Sequence, residues 1–286
     1  MHKKLKKDSM TKQVFRRFIA NPTARIGLIL IVIIVIACII GPYLTGYGVN
    51  EMDVANINKG PSAKHLIGTD SLGRDYLTRL LYGGRYSLVL GLSGALLSCL
   101  IGIVLGCISG YYGGRVDNLI MRACDVVMAI PAMLLSIIVS IAFGTGFVNT
   151  IFALAIGGCT GGIRLIRGQV LSVRKEEYLE AAEMTNCNSL EIMFKHILPN
   201  VLSPVIVSTT MSIGSMIMVA ASLSVLGLGV QPPTPEWGAM LSAGRSYIMT
   251  LPYLVIFPGI MIFLTVLGFN LAGDGLRDAI DPKLKK

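Results

Sequence analysis

The sequence predicts an all-α integral membrane protein with six transmembrane helices and both termini in the cytoplasm, and three observations carry that prediction. Hydrophobic residues make up 53% of the 286 and charged residues only 14%, with a mean hydropathy of +0.69, a combination rare in soluble domains. Six apolar runs approach or exceed the ~18 residues needed to cross a ~30 Å hydrocarbon core. The basic residues are spread unequally between the two sides that these runs define.

A tail of residues 1–25 precedes the first run, Ile26 to Leu44, which is too long for a signal-peptide core and reads as a retained span. The second run is Leu88 to Gly110, the third Val126 to Phe143 and the fourth Phe147 to Ile163. The fifth is Val201 to Leu228 and the sixth Leu251 to Leu271. Gly157, Gly158, Gly161 and Gly162 lower the helix propensity of the fourth run, although glycine is tolerated where helices pack closely in lipid. Gly102, Gly106 and Gly110, spaced by four, predict a close helix–helix contact in the second. Residues 45–87 form an extracytoplasmic segment and residues 88–273 the core, which contains a cytoplasmic loop at 164–200. Residues 274–286 form a cytoplasmic tail.

With that topology, 19 of the 25 Lys and Arg lie on the cytoplasmic side, which fixes the orientation. The same asymmetry accounts for the net charge of +9 and excludes a nucleic-acid footprint. The six cysteines show no metal-type spacing, and the 14 methionines are scattered, so neither points to a metal site. Every Asp, Glu, Lys and Arg falls in a loop or at a span boundary, with Arg122 and Asp125 at the cytosolic entrance of the third span. A proton-coupled carrier needs an ionisable group within the membrane, and intramembrane hydrolysis needs an activated nucleophile or metal; neither is in evidence. The energy for any transport therefore enters from outside this chain.

The stretch Ser172 to Asn200 is too polar to span and reads as two short helices. The first runs from about Arg174 to Thr185, with Tyr178, Leu179 and Ala182 on one face and Asn186 as a left-handed C-cap. Asn188 and Glu191 resemble a capping box opening the second, in which Leu190, Phe194 and Ile197 recur at helical spacing. Pro199 is expected to break that helix before the fifth span. By pattern alone such helices lie on headgroups or dock in a protein groove, and the small Ala181 and Ala182 favour the groove.

At this loop EAAEMTNCNSLEIMFKHILPN resembles the EAA signature of ABC importer permeases: Glu180, Ala181 and Ala182 match, as do Leu198 and Pro199, while Asn186 stands where the family has glycine. Three further segments resemble the dipeptide, oligopeptide and nickel branch of that family. They are His65 to Leu88, Ser222 to Leu241 and Leu264 to Leu284. The four stand in the branch's order, and of its two paired permeases the chain looks like the second, the C-type subunit. In the first, Gly68, Thr69, Asp70, Gly73, Arg74 and Asp75, with His65, read as tight turns in which the carboxylates accept backbone or Arg hydrogen bonds; the rival reading is a docking surface for a solute receptor. Pro232, Pro233 and Pro235 stiffen an outer connection, and Trp237 reads as an interfacial anchor.

The resemblance implies a type I ABC importer permease fold in the bacterial plasma membrane. It implies as partners a homologous B-type permease, two cytosolic ABC ATPase subunits, an extracytoplasmic solute-binding protein and the lipid bilayer, with no nucleic acid. By the same resemblance the EAA loop is a coupling helix that inserts into a cleft on the ATPase. The chain carries no Walker A pattern, so ATP and magnesium belong to those partners, and this chain binds no cofactor and is not itself an enzyme. Di- or oligopeptides are the cargo the branch implies first, with nickel or a nickel–metallophore complex second. A standalone channel or carrier is the alternative of a different class.

Overall fold

The computed structural model describes residues 10–184 and 187–280, and among them the architecture is helical, with no strand and a lone β-bridge between Thr69 and Asp75. A short amphipathic α1 (Met10–Ala20) precedes α2 (Pro22–Leu44). After the extracytoplasmic segment come α3 (Tyr76–Tyr112), α4 (Gly114–Met128), α5 (Ala132–Phe143) and α6 (Phe147–Val173). The cytoplasmic loop contains α7 (Glu177–Met184) and α8 (Ser189–Glu191). Next come α9 (Leu198–Val225), α10 (Trp237–Gly244) and α11 (Tyr253–Ile280). Among the described residues five helices are long and apolar enough to cross a membrane, and a sixth crossing requires α4 and α5 together.

That pair corrects the expected third span. Instead of one helix through Val126–Phe143, α4 and α5 meet at a 90° bend. Pro131 causes the break: it has no N–H to continue the ladder and disfavours helical backbone at Ile130. The 12 residues of α5 rise only about 18 Å, too short to cross alone. Other boundaries also move: α2 begins at Pro22 rather than Ile26, and α11 continues nine residues past Leu271 to Ile280, into the expected tail. α3 begins at Tyr76, twelve residues before the expected Leu88, and α6 continues ten residues past Ile163 to Val173.

The expected break at Pro199 is also absent. Ile192–Ile197 forms a π-turn that joins α8 to α9, so one continuous helix runs from Ser189 to Val225. A proline ring clashes with the carbonyl four residues back; widening the preceding turn moves that carbonyl away, and Leu198 N instead bonds Met193 O, five residues back. Asn200 Nδ2 donates to His196 O at 2.6 Å, which occupies a carbonyl near the proline.

Helix packing follows the small residues. In lipid no hydrophobic force joins helices, so close van der Waals approach has to. α3 and α6 touch along Gly102, Gly106 and Gly110; a Cβ on Gly106 would lie 2.8 Å from both Ile163 O and Ile166 Cβ. α2 meets α11 the same way, with a Cβ on Gly27 landing 2.7 Å from Gly268 O. Leu90, Leu154, Ile217 and Leu223 fill the middle of the bundle, and α9 runs through its centre against α3, α6 and α11.

These contacts set an expectation. Gly106→Val overpacks the α3–α6 contact, for which about 1–3 kcal/mol is typical, whereas Gly161, with nothing within 4 Å of its Cβ position, tolerates the same change. Thermal unfolding of the detergent-purified variants measures this; equal melting temperatures for the two would refute the packing argument.

Candidate functional sites at the two membrane faces

On the extracytoplasmic side, the segment before α3 folds around its own carboxylates. Asp70 Oδ1 accepts from Leu72 N (2.9 Å) and Arg74 N (3.0 Å), while Oδ2 receives Arg74 Nε (2.7 Å) and faces Arg79 Nε (3.5 Å). Asp75 is the N-cap of α3: its Oδ1 accepts from Thr78 N (2.8 Å) and Thr78 Oγ1 (2.7 Å), and its Oδ2 meets His65 Nδ1 at 3.0 Å. His65, buried at 2% exposure, stacks on Tyr47. Thr69 is buried too, its hydroxyl donating to Asn56 O and accepting from Lys59 N.

Gly68 and Gly73 have φ of +92° and +74°, and added Cβ atoms would meet Lys59 O and Asp53 O, so both turns require glycine. His65, Gly68, Thr69, Asp70, Gly73, Arg74 and Asp75 are thus brought together in one hydrogen-bonded knot whose polar groups mostly serve one another. A cleft beside it, lined in part by Asp70, Arg74, Arg79, Pro232 and Tyr247, holds about 70 Å³, well below the ~300 Å³ at which ligand pockets begin. On the exposed rim, the hydrogen bond from Lys64, then that from Asn56, pulls the Asp53 carboxyl down to about 2, and the same contact raises Lys64.

The knot is joined to the membrane bundle by residues the sequence did not single out. Arg79 donates to Val49 O and Asn50 Oδ1 and, across 154 positions, to Pro233 O at 3.2 Å. Glu236 is 1% exposed and caps α10 through Gly238 N and Ala239 N, both at 2.9 Å, while accepting from Ser87 Oγ at 2.9 Å. Trp237 is not an interfacial anchor. It is fully buried, with Nε1 donating to Leu80 O at 2.9 Å, because α10 folds back between α3, α9 and α11 rather than lying at the surface.

On the cytoplasmic side, Glu180, Ala181 and Ala182 fall within α7, and their side chains, like the whole of Asn186, lie outside the described residues. Leu179, 3% exposed, seats α7 in a cluster with Ile166, Val170, Ile192, Ile197 and Val201. Tyr178 does not share that buried face, and Met184 at the tip is 87% exposed. Asn188 Oδ1 accepts from Glu191 N (2.7 Å), the first half of the expected capping box. The Glu191 side chain pairs with Lys195 instead of reaching back. Leu190 and Phe194 are exposed while Ile192, Met193 and Ile197 are buried, so the expected face of Leu190, Phe194 and Ile197 is split. Leu198 and Pro199 open α9, with Leu198 packed against the same cluster.

Two ion pairs brace this side. Asp117 on α4 takes both Arg167 of α6 and the Ser109 hydroxyl of α3, and Asp125 takes Arg164. Among the described residues there is no group of three or more His, Cys, Asp or Glu placed to hold a metal ion.

Comparison with known proteins gives concordant matches. The family described as binding-protein-dependent transport system inner membrane component matches residues 102–286, and one described as the N-terminal TM domain of oligopeptide transport permease C matches residues 9–61. The chain is 45% identical over 275 residues to the glutathione transport system permease protein GsiD of Pectobacterium atrosepticum, covering 96% of this chain and 91% of that one. It is 44% identical over 274 residues to the dipeptide transport system permease protein DppC of Alkalihalophilus pseudofirmus, covering 96% and 90%. A chain of the MetNI methionine ABC transporter, solved in an inward-facing conformation, shares the fold: TM-score 0.55 at 16% identity, over 71% of this chain and 96% of that one.

The knot makes a stability prediction. Asp75→Ala removes the α3 cap, worth about 0.5–2 kcal/mol, and strips buried His65 of its partner at about 1–3 kcal/mol. Lys64→Ala breaks only an exposed, solvent-screened pair and should cost the least. Melting temperatures should fall in that order. Because the Asp53 carboxyl is depressed, the contribution of its contact with Lys64 is present at neutral pH and fades only as pH drops below the ordinary carboxylate range toward about 2.

Proposed function

The chain belongs to the binding-protein-dependent transport system inner membrane components, as a multi-pass bacterial membrane permease of the ABC importer class, and we propose that it supplies half of the pore for di- or oligopeptides, glutathione-like tripeptides among them. The carrying observation is 43–45% identity over nearly the whole chain to permeases named for glutathione and dipeptide transport. In this reading the chain binds no cofactor and catalyses nothing itself; ATP and magnesium act on two cytosolic ATPase subunits. A homologous B-type permease completes the pore, and an extracytoplasmic solute-binding protein delivers the cargo. Nickel or a nickel–metallophore complex is the runner-up cargo.

α7 and the Glu180, Ala181, Ala182 signature form the coupling helix, with Asn186 at the signature's glycine position and Leu198 and Pro199 opening the helix that it drives. The exposed Tyr178 and Met184, on a helix seated from behind by Leu179, fit a protrusion that enters a partner's cleft. The substrate path follows the open face of α9. Ser208, Met211, Ser215, Met218 and Ser222 recur there at alternating spacings of three and four, beside grooves of about 460 and 430 Å³. Ser208 and Ser215 are exposed there. Free hydroxyls are poorly matched to lipid but suit the amides of a passing peptide.

Uptake of a labelled dipeptide and of glutathione should be lost on deleting this gene and restored by it. In a cysteine-free background Ser215→Cys should make that uptake sensitive to a small hydrophilic thiol reagent, while Leu96→Cys should not. Uptake of nickel but not peptides would move the cargo to the runner-up, and flux without ATPases would support a standalone carrier.

Coupling is tested separately. Ala182→Arg should abolish association with the ATPase, because an unpaired charge forced into a close interface costs several kcal/mol. Membrane insertion should survive. Lys175→Ala, exposed and outside the signature, should be near neutral. Wild-type association and transport in Ala182→Arg at equal expression would remove the coupling assignment.

A further inference from the structure

We propose that α1 is an interfacial helix that binds the anionic phospholipid headgroups of the cytoplasmic leaflet. Asn21 stands between α1 and α2 in an extended conformation (φ −74°, ψ 119°), and one extended residue between two helices turns the chain through a corner. The corner is pinned twice: Asn21 Oδ1 accepts from Thr23 N at 3.0 Å, and Asn21 Nδ2 donates to Asp278 at 3.2 Å. α1 therefore leaves the axis of the membrane-crossing α2 and packs beside the cytoplasmic end of α11.

The faces of α1 are sorted to match a membrane boundary. Val14, Arg17 and Phe18 are partly buried on the side toward the bundle. Phe15 and Ile19, four residues apart, are 61% and 41% exposed and form a separate apolar strip. Arg16 is exposed beside that strip, and Arg25 is exposed in the first turn of α2; neither has a carboxylate partner among the described residues. The charge of this stretch is one-sided: residues 1–25 contain eight Lys and Arg and a single acid, Asp8, and the next acid along the chain is Glu51, while the neighbouring α11 contributes the exposed Asp274 and Asp278. An apolar strip flanked by cations at the point where a span enters the membrane is the pattern of a headgroup-binding helix. The inference depends on membrane embedding alone and is independent of the cargo.

The test uses the full chain reconstituted into vesicles with Phe15→Trp. Trp237 is the sole native tryptophan, fully buried and hydrogen-bonded, so it supplies a constant background that also reports intact folding. Lipids brominated near the headgroup end of the acyl chain should quench the introduced indole. Quenching should be stronger in phosphatidylcholine–phosphatidylglycerol vesicles than in phosphatidylcholine alone, and should weaken at high salt. Adding Arg16→Glu should shift the docked population about fivefold per charge removed, the change implied by ~1 kcal/mol per basic residue. Absence of quenching in both vesicle types would overturn the proposal, as would equal quenching unaffected by Arg16→Glu. Loss of quenching on adding the ATPase subunits would overturn it in favour of a protein groove.

Discussion

Helices in a bilayer gain nothing by hiding apolar surface from lipid, so this fold depends on how closely their backbones can approach. The α3–α6 contact through Gly102, Gly106 and Gly110 sets the central pair, and Gly27 against Gly268 sets α2 on α11. With these distances fixed by missing side chains, the larger residues have defined spaces to fill: Leu154 and Ile217 in the middle, Ile166 and Val170 at the cytoplasmic end, Trp237 at the outer end. Polar groups then fasten the two ends, where water is near. Glu236 ties α10 to Ser87 on the outside, and Asp117 ties α4 to Arg167 on the inside.

Much of this was legible in the chain itself. Apolar length was sufficient to mark five of the membrane-crossing helices, and the glycine spacing in α3 marked the contact it makes. The elbow between α4 and α5 was not legible from length, because a hydropathy run sums composition and is blind to the direction of the backbone at Pro131. Pro199 misled in the opposite sense: the ring forbids a regular α-turn, but a π-turn accommodates it, and no local pattern in Ile192–Ile197 announces the wider turn. Trp237 was misread because an indole beside prolines in an outer loop looks the same whether the loop lies on the surface or folds inward. Only the long-range bond to Leu80 O distinguishes the two.

At the candidate sites, the knot around Asp70 and Asp75 could be anticipated from residue types, since carboxylates among glycines and Arg find backbone donors locally. Its attachment through Arg79 to Pro233 spans more than half the chain and has no local signature. The cytoplasmic loop divides similarly. Its helices were readable from caps and spacing, whereas the wider turn at Ile192–Ile197 and the exposure of Leu190 and Phe194 were not.

The π-turn has a mechanical consequence. Because it joins α8 to α9 without a gap, the helix from Ser189 to Val225 is 37 residues long, about 55 Å. Its near end sits beside the cytoplasmic loop, and its far end lies against the buried α10. An interrupted chain would absorb a push at the loop in a flexible joint. A continuous helix seated in the middle of the bundle instead links the loop to α10 through one element, in which the π-turn and Pro204 are the places where it can bend.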